Sequence, residues 1–138
     1  MTKMLLKLPD QPLQVVETSE KYFMNATQPY IGNGNLIQYL YQDGTEFNLA
    51  VDEEGLIKRL PLNFFTKMVT KNGEYIQPLV GPVVFARCKP INPRKQEIWD
   101  FELTDVTEED YKKVALSLTY ECQKAMAQHY RQEQSKYK

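Results

Sequence analysis

Apolar and polar positions change period several times along this chain, and the changes mark its elements. Met4 to Leu8 is a short apolar run that Pro9 and Pro12 interrupt, and Leu13 to Glu17 resumes the extended pattern. Proline lacks an amide donor, so this first strand is expected at a sheet edge or broken. Thr18 or Ser19 can cap a helix over Ser19 to Gln28 that Pro29 would stop. After the turn chemistry of Ile31-Gly32-Asn33-Gly34-Asn35, Leu36 to Tyr41 and Thr45 to Val51 alternate with a period of two. Gln42-Asp43-Gly44 between them is a hairpin signal, since glycine reaches positive φ without steric cost.

Asp52-Glu53-Glu54-Gly55 reads as a second turn and Leu56 to Leu60 as a short third strand. Pro61 to Met68 reads as a short helix with proline at its first position. Lys71-Asn72-Gly73 is a turn. Val80 to Cys88, the most apolar run, predicts a central strand ended by Pro90 and Pro93, and Gln96 to Leu103 adds an extended piece. Thr107-Glu108-Glu109-Asp110 resembles a capping box, with acidic groups where the helix dipole favours them. From there Tyr111, Val114, Ala115, Leu118, Cys122, Ala125, Met126 and His129 recur at three- and four-residue spacing, the apolar stripe of one long amphipathic helix.

These elements predict the α+β class: an antiparallel sheet of about four to six strands, with one short helix and a long C-terminal amphipathic helix covering the same face. No repeat and no low-complexity linker divides the chain, so residues 1–138 are read as a single domain. About residues 130–138 lack the apolar stripe and are expected to fray or to contact a partner. A homodimer is expected through that end of the last helix, where Met126 and Tyr130 extend the apolar face.

Composition narrows the function classes. The 138 residues carry 17 Lys plus Arg and 18 Asp plus Glu, a net charge of −1. That balance argues against nucleic-acid binding driven by bulk charge. Leu, Ile, Val and Phe make up about a quarter of the chain, above the level at which disorder is expected. No apolar run approaches the ~20 residues of a membrane span, and no membrane association is expected. Met1 to Leu8 is too short for a signal peptide, which points to the cytoplasm. With two cysteines, Cys88 and Cys122, one histidine, and no paired ligand spacing, neither a structural metal site nor any cofactor is expected. The two cysteines read as buried free thiols.

Most reactive-looking residues have an ordinary reading. Asp52, Glu53 and Glu54 are adjacent in a turn, where consecutive side chains diverge, so they read as a solvated turn. His129 has no nucleophile in its sequence neighbourhood, and no nucleophile elbow surrounds Ser19, Ser117 or Ser135. No catalytic residue is assigned. Asn63, polar among apolar neighbours, needs partners for both its amide and its carbonyl. It either ties the short helix to the acidic turn or contacts a ligand. Lys89, Arg94 and Lys95 form a small basic cluster, and Tyr39, Tyr41 and Trp99 offer aromatic faces on which bases could stack.

In order, the Val51-Asp52-Glu53-Glu54-Gly55-Leu56, Leu60-Pro61-Leu62-Asn63 and Leu79-Val80-Gly81-Pro82-Val83-Val84-Phe85 segments resemble a family of small proteins of unknown function from phages, plasmids and other bacterial mobile elements. The pattern is an acidic-Glu-x-Gly turn, a Leu-Pro-x-Asn segment and a Val-Gly-x-Val-Val strand. The resemblance implies a genomic setting, a bacterial host cell, and a fold; it implies no catalytic residue. The expected function is a non-enzymatic binding protein of phage or mobile-element origin. It would occupy or sequester a host protein or a small ligand, and a counter-defence role fits that class. The alternative is a nucleotide or nucleic-acid binding module, with Lys89, Arg94 and Lys95 on phosphates and Tyr39, Tyr41 or Trp99 stacking.

Overall fold

The computed structural model describes residues 1–31, 36–40, 47–70, 73–90 and 101–136, with side chains at all of these except 36–40, 47, 68–70, 89, 90 and 101. In chain order the described elements are β1 (Thr2–Lys7), β2 (Gln14–Thr18), α1 (Phe23–Ile31), β3 (Leu36–Leu40), β4 (Phe47–Asp52), β5 (Leu62–Thr70), β6 (Gly73–Val80), β7 (Val83–Pro90), β8 (Phe101–Thr104), α2 (Glu108–Ser117) and α3 (Tyr120–Ser135). The fold is α+β. Six strands form one antiparallel sheet in the order β2-β1-β7-β4-β3, with β8 also on β7, and β5 and β6 form a separate hairpin.

The centre of the sheet is β7. Its Phe85 faces Leu5 of β1 on one side and Leu49 of β4 on the other. Its later residues pair with β8, Arg87 opposite Thr104, so β1 and β8 lie end to end along one edge of β7. Successive side chains of a strand point to opposite faces. Val84, Ala86 and Cys88 therefore join Met4, Leu6 and Ala50 on one face, under Phe23, Ala26 and Ile31 of α1. Val83 and Phe85 join Leu5, Leu49 and Val51 on the other, under Phe64 and Leu79 of the hairpin and Val114 of α2. Burial on both faces explains why these strands read as nearly unbroken apolar runs.

Several expectations from the sequence are corrected. The proline-interrupted first strand, expected at an edge or broken, is broken, and only its second half takes the edge: β1 is internal and β2 is the edge strand. Pro9 and Pro12 lie in the connection, where no ladder amide is needed. The first helix starts at Phe23, later than expected, and contains Pro29. Residues ahead of it stay extended because the Leu103 amide donates to the Lys21 carbonyl at 2.9 Å and Tyr22 bridges to Glu102. Burial of Phe23, Ala26 and Ile31 holds the helix together past the proline.

Residues 53–59 are a turn, not a strand. The expected helix over Pro61 to Met68 is instead β5. Phe64 and Thr66, two apart, are both buried, and the Phe64 ring stacks on Phe85 at 5.8 Å with a 17° interplanar angle. Only a period of two delivers both side chains to the sheet. The run from Val80 to Cys88 is not one strand. It breaks at Gly81, whose φ of 71° lies in the left-handed region, so that Val80 ends β6 and Val83 starts β7.

The capping box is present: the Thr107 hydroxyl accepts from the Asp110 amide at 3.1 Å, and the Asp110 carboxylate accepts from the Thr107 amide at 2.8 Å. The long helix, however, is two helices. Thr119 leaves helical geometry with ψ 155°, and its hydroxyl caps α3 by accepting from the Cys122 amide at 3.4 Å. The helices also do not share a face, since α1 lies on one side of the sheet and α2 on the other. The third helix, α3, rests on the β5–β6 hairpin and remains helical to Ser135. Neither cysteine is in a disulfide; Cys88 is buried and Cys122 half-buried. The pairing of β3 with β4, Leu40 opposite Asn48, has the register of a hairpin; the Gln42-Asp43-Gly44 turn lies outside the described residues.

Candidate functional site

The three segments that carry the sequence resemblance meet at one place, the junction between the end of β4, the start of β5 and the β6–β7 turn. Asp52 closes β4 and is buried, contrary to its reading as part of a solvated turn. Its Oδ1 accepts from the Glu54 amide at 2.9 Å and its Oδ2 accepts from Lys58 Nζ at 2.7 Å. Burial works against the Asp52 charge, but these two hydrogen bonds and the Lys58 charge outweigh it and hold the carboxyl below the usual carboxylate range. The hydrogen bond to Asp52 raises the Lys58 ammonium in turn, against desolvation. Arg59 takes a positive φ of 56° to complete the turn.

Glycine is required at two positions of this junction. A Cβ on Gly55 would stand 2.7 Å from Val80 Cγ2, and one on Gly81 would stand 2.7 Å from Leu60 Cδ1. The Gly81 amide donates to the Pro61 carbonyl at 2.8 Å. Asn63 completes the tie. Its Nδ2 donates to the carbonyls of Lys7 at 2.7 Å and Gly81 at 2.8 Å, and its Oδ1 accepts from Lys7 Nζ at 3.1 Å. Asn63 thus joins β5 to β1 and to the β6–β7 turn, rather than a helix to the acidic turn, and its amide is fully engaged within the chain. Burial pushes the Lys7 ammonium below its ordinary range, against the opposing charge of Asp10.

A second polar centre lies on the face of the sheet under α2. Arg87 of β7 donates from Nε to Asp110 Oδ2 at 2.9 Å and from Nη2 to Asp110 Oδ1 at 2.6 Å. Asp110 is buried, and burial disfavours its charge. The Arg87 hydrogen bonds, the Thr107 amide and hydroxyl, and the Arg87 charge more than offset this and lower the carboxyl. The sequence alone marks Asp110 only as half of a capping box and gives Arg87 no role. The available signal was an arginine inside the apolar run from Val83 to Cys88, because a cation in a buried strand requires a carboxylate partner.

Asn48 of β4 is also buried, with Nδ2 against Cys88 Sγ. Its Oδ1 is a buried oxygen without a hydrogen-bond partner among the described residues.

Among the described residues, two of the surface grooves are roomy. One, about 400 Å³, lies beside the start of β2 and the first turn of α2, lined by Lys3, Leu13, Val15, Val106, Glu108 and Tyr111 among others. The second, about 430 Å³, runs between the β5–β6 hairpin and α3, where Tyr75, Ile76, Ala125 and Met126 are rimmed by Lys67, Glu74 and His129. Lys67 and Glu74 pair at 2.7 Å, and His129 lies 3.7 Å from Glu133 on the exposed side of α3.

Lys89 and Tyr39 are placed only as backbone, in β7 and β3, while Tyr41, Arg94, Lys95 and Trp99 lie outside the described residues. Among the described residues no group of three His, Cys, Asp or Glu side chains is placed to hold a metal ion, and no helix is long and apolar enough to cross a membrane. Compared with protein-family models, with curated proteins and with solved structures, the chain matches none.

Proposed function

We propose that this chain is a non-enzymatic binding protein that acts by occupying or sequestering a protein or small ligand. The observation that carries this reading is where its reactive groups point. Asp52 and Lys58, Arg87 and Asp110, and Asn63 with Lys7 are each engaged with one another within the chain. The groove between the β5–β6 hairpin and α3 instead offers apolar lining, Ile76 and Met126, beside a polar rim. Apolar walls with a few polar groups at the margin suit recognition by shape and burial. The proposed setting, a phage- or plasmid-encoded protein in the cytoplasm of a bacterial host, with counter-defence as one form of such sequestration, rests on the motif order between Val51 and Phe85 alone.

The test is affinity capture from bacterial lysate with the wild-type chain and with Ile76→Asp/Met126→Asp, followed by mass spectrometry of protein and small-molecule fractions. A species retained by the wild type and lost by the folded variant supports the reading. Equal recovery on both proteins overturns the assignment to this groove. Recovery of nucleic acid that disappears between low and moderate salt replaces the reading with the nucleic-acid alternative.

A further inference from the structure

The β5–β6 hairpin leaves one edge of β5 without a neighbouring strand among the described residues. Pro78 stands opposite Phe65 and has no amide hydrogen, so the Phe65 N–H and C=O point away from β6, toward that edge. They are not left to water. Gln123 Oε1 accepts from the Phe65 amide at 2.7 Å, and Gln123 Nε2 donates to the Phe65 carbonyl at 3.0 Å. A side-chain carboxamide is chemically a peptide group, and here it makes the pair of bonds that one residue of an adjacent strand would make. The same Nε2 donates to the Ser117 carbonyl at 2.9 Å, anchoring the amide to the end of α2.

The helix carrying Gln123 is lightly held. No residue of α3 is fully buried. Besides the Gln123 hydrogen bonds, the Tyr130 ring packs against Phe65 of β5 at 5.6 Å. It has its own N-cap at Thr119, so it is a separate helical unit joined to α2 through the Leu118–Thr119 break. Elements with few buried contacts open at a lower free energy than the sheet they rest on.

We propose that α3 is a releasable strap that closes the free edge of β5 by putting the Gln123 amide in the place of a strand, and that its release opens this edge to the same edge of a second copy of the chain. A second copy fits because an antiparallel edge pairs with itself about a two-fold axis. Centred on Phe65, the pairing exchanges N–H and C=O between the two Phe65 residues, the atoms Gln123 now engages. It sets Lys67 opposite the second copy's Asn63 and Phe64 opposite the second copy's Thr66. It also covers again the Phe65 ring that Tyr130 leaves. Centring on Lys67 would instead oppose two ammonium groups.

The test uses the full chain, amide hydrogen exchange by NMR, and light scattering. In Gln123→Leu the Phe65 amide should exchange about tenfold faster than in the wild type, with the Phe85 amide unchanged. The variant should form concentration-dependent dimers. Adding Lys67→Pro, which removes an edge donor and the exposed Lys67–Glu74 ion pair but breaks no β5–β6 ladder bond, should return the protein to a monomer while Phe65 still exchanges fast. Tyr130→Ala, which loosens the strap without touching the edge, should reproduce the fast exchange and the dimer. An unchanged Phe65 rate in both strap variants, a monomer in both, or a dimer indifferent to Lys67→Pro overturns the proposal.

Discussion

Arg87 of β7 and Asp110 of α2 face each other through two parallel hydrogen bonds, 2.9 and 2.6 Å long, beneath the first turn of the helix. The same carboxylate accepts from the Thr107 amide at 2.8 Å, so one group both caps α2 and fastens it to the central strand. Arg87 retains some solvent contact while Asp110 is nearly inaccessible. Removing the arginine therefore strands a buried charge, whereas removing the aspartate leaves a cation that can reach water.

Arg87→Met should consequently cost more than the loss of the cap alone. Breaking a fully buried pair costs ~3–5 kcal/mol; with Arg87 partly solvated, about 2–4 kcal/mol is expected. Asp110→Asn should cost less than Arg87→Met, and the double variant should be more stable than the sum of the two losses implies. Urea denaturation of the four proteins in a double-mutant cycle checks this.

Acid should unfold the protein through its two lowered carboxyls. The pKa values of Asp52 and Asp110 are depressed in the folded state, so each contributes stability that is present above the ordinary aspartate value of 3.8 and lost as pH falls through the folded value. Stability should decline steadily below about pH 4. Asp110→Asn should show a shallower decline, and parallel pH curves for the two proteins would contradict the assignment. Lys58, raised by Asp52, acts at the other end: its contribution is present below 10.5 and lost as pH rises through its folded value.

Gly81→Ala should destabilise through two effects. Its φ of 71° costs an L-residue ~1–2 kcal/mol, and the new methyl meets Leu60 Cδ1 at 2.7 Å. Leu60→Ala in the same chain should recover the steric part but not the backbone part. Thermal melts of the two single variants and the double variant separate the effects.

Phe64→Ala should cost ~3–5 kcal/mol, because it removes the ring that packs the hairpin on Phe85. Were residues 61–68 a surface helix, the same change would be nearly silent, so a denaturation midpoint close to the wild type would count against β5.

Some of this molecule was readable from the chain because the cause was local. The Thr107–Asp110 capping box closes within one turn and needs no distant partner. The alternation in Leu36 to Tyr41 and Thr45 to Val51 marked two paired strands, and the apolar run from Val80 to Cys88 marked a central strand, which the structure starts at Val83. Asn63 was legible as a residue that had to be satisfied, though its partners were not.

What only the tertiary structure decided has in each case a non-local cause. Pro61 to Met68 has residues that serve a helix or a strand, and the choice fell to Phe85, which offers Phe64 a stacking surface only if the segment alternates. The apolar stripe from Tyr111 to His129 continues across Leu118 and Thr119 as if one helix bore it. The first half packs on the main sheet and the second on the outlying hairpin, and a single straight helix cannot follow both surfaces. Arg87 and Asp110 are 23 residues apart, and Gln123 and Phe65 are 58 apart. Sequence by itself determined that these polar groups needed partners and that the apolar runs needed cover. The packing of α2 and α3 determined which partner each found, because hydrogen bonds and ring contacts depend on distances that exist only once the sheet has formed.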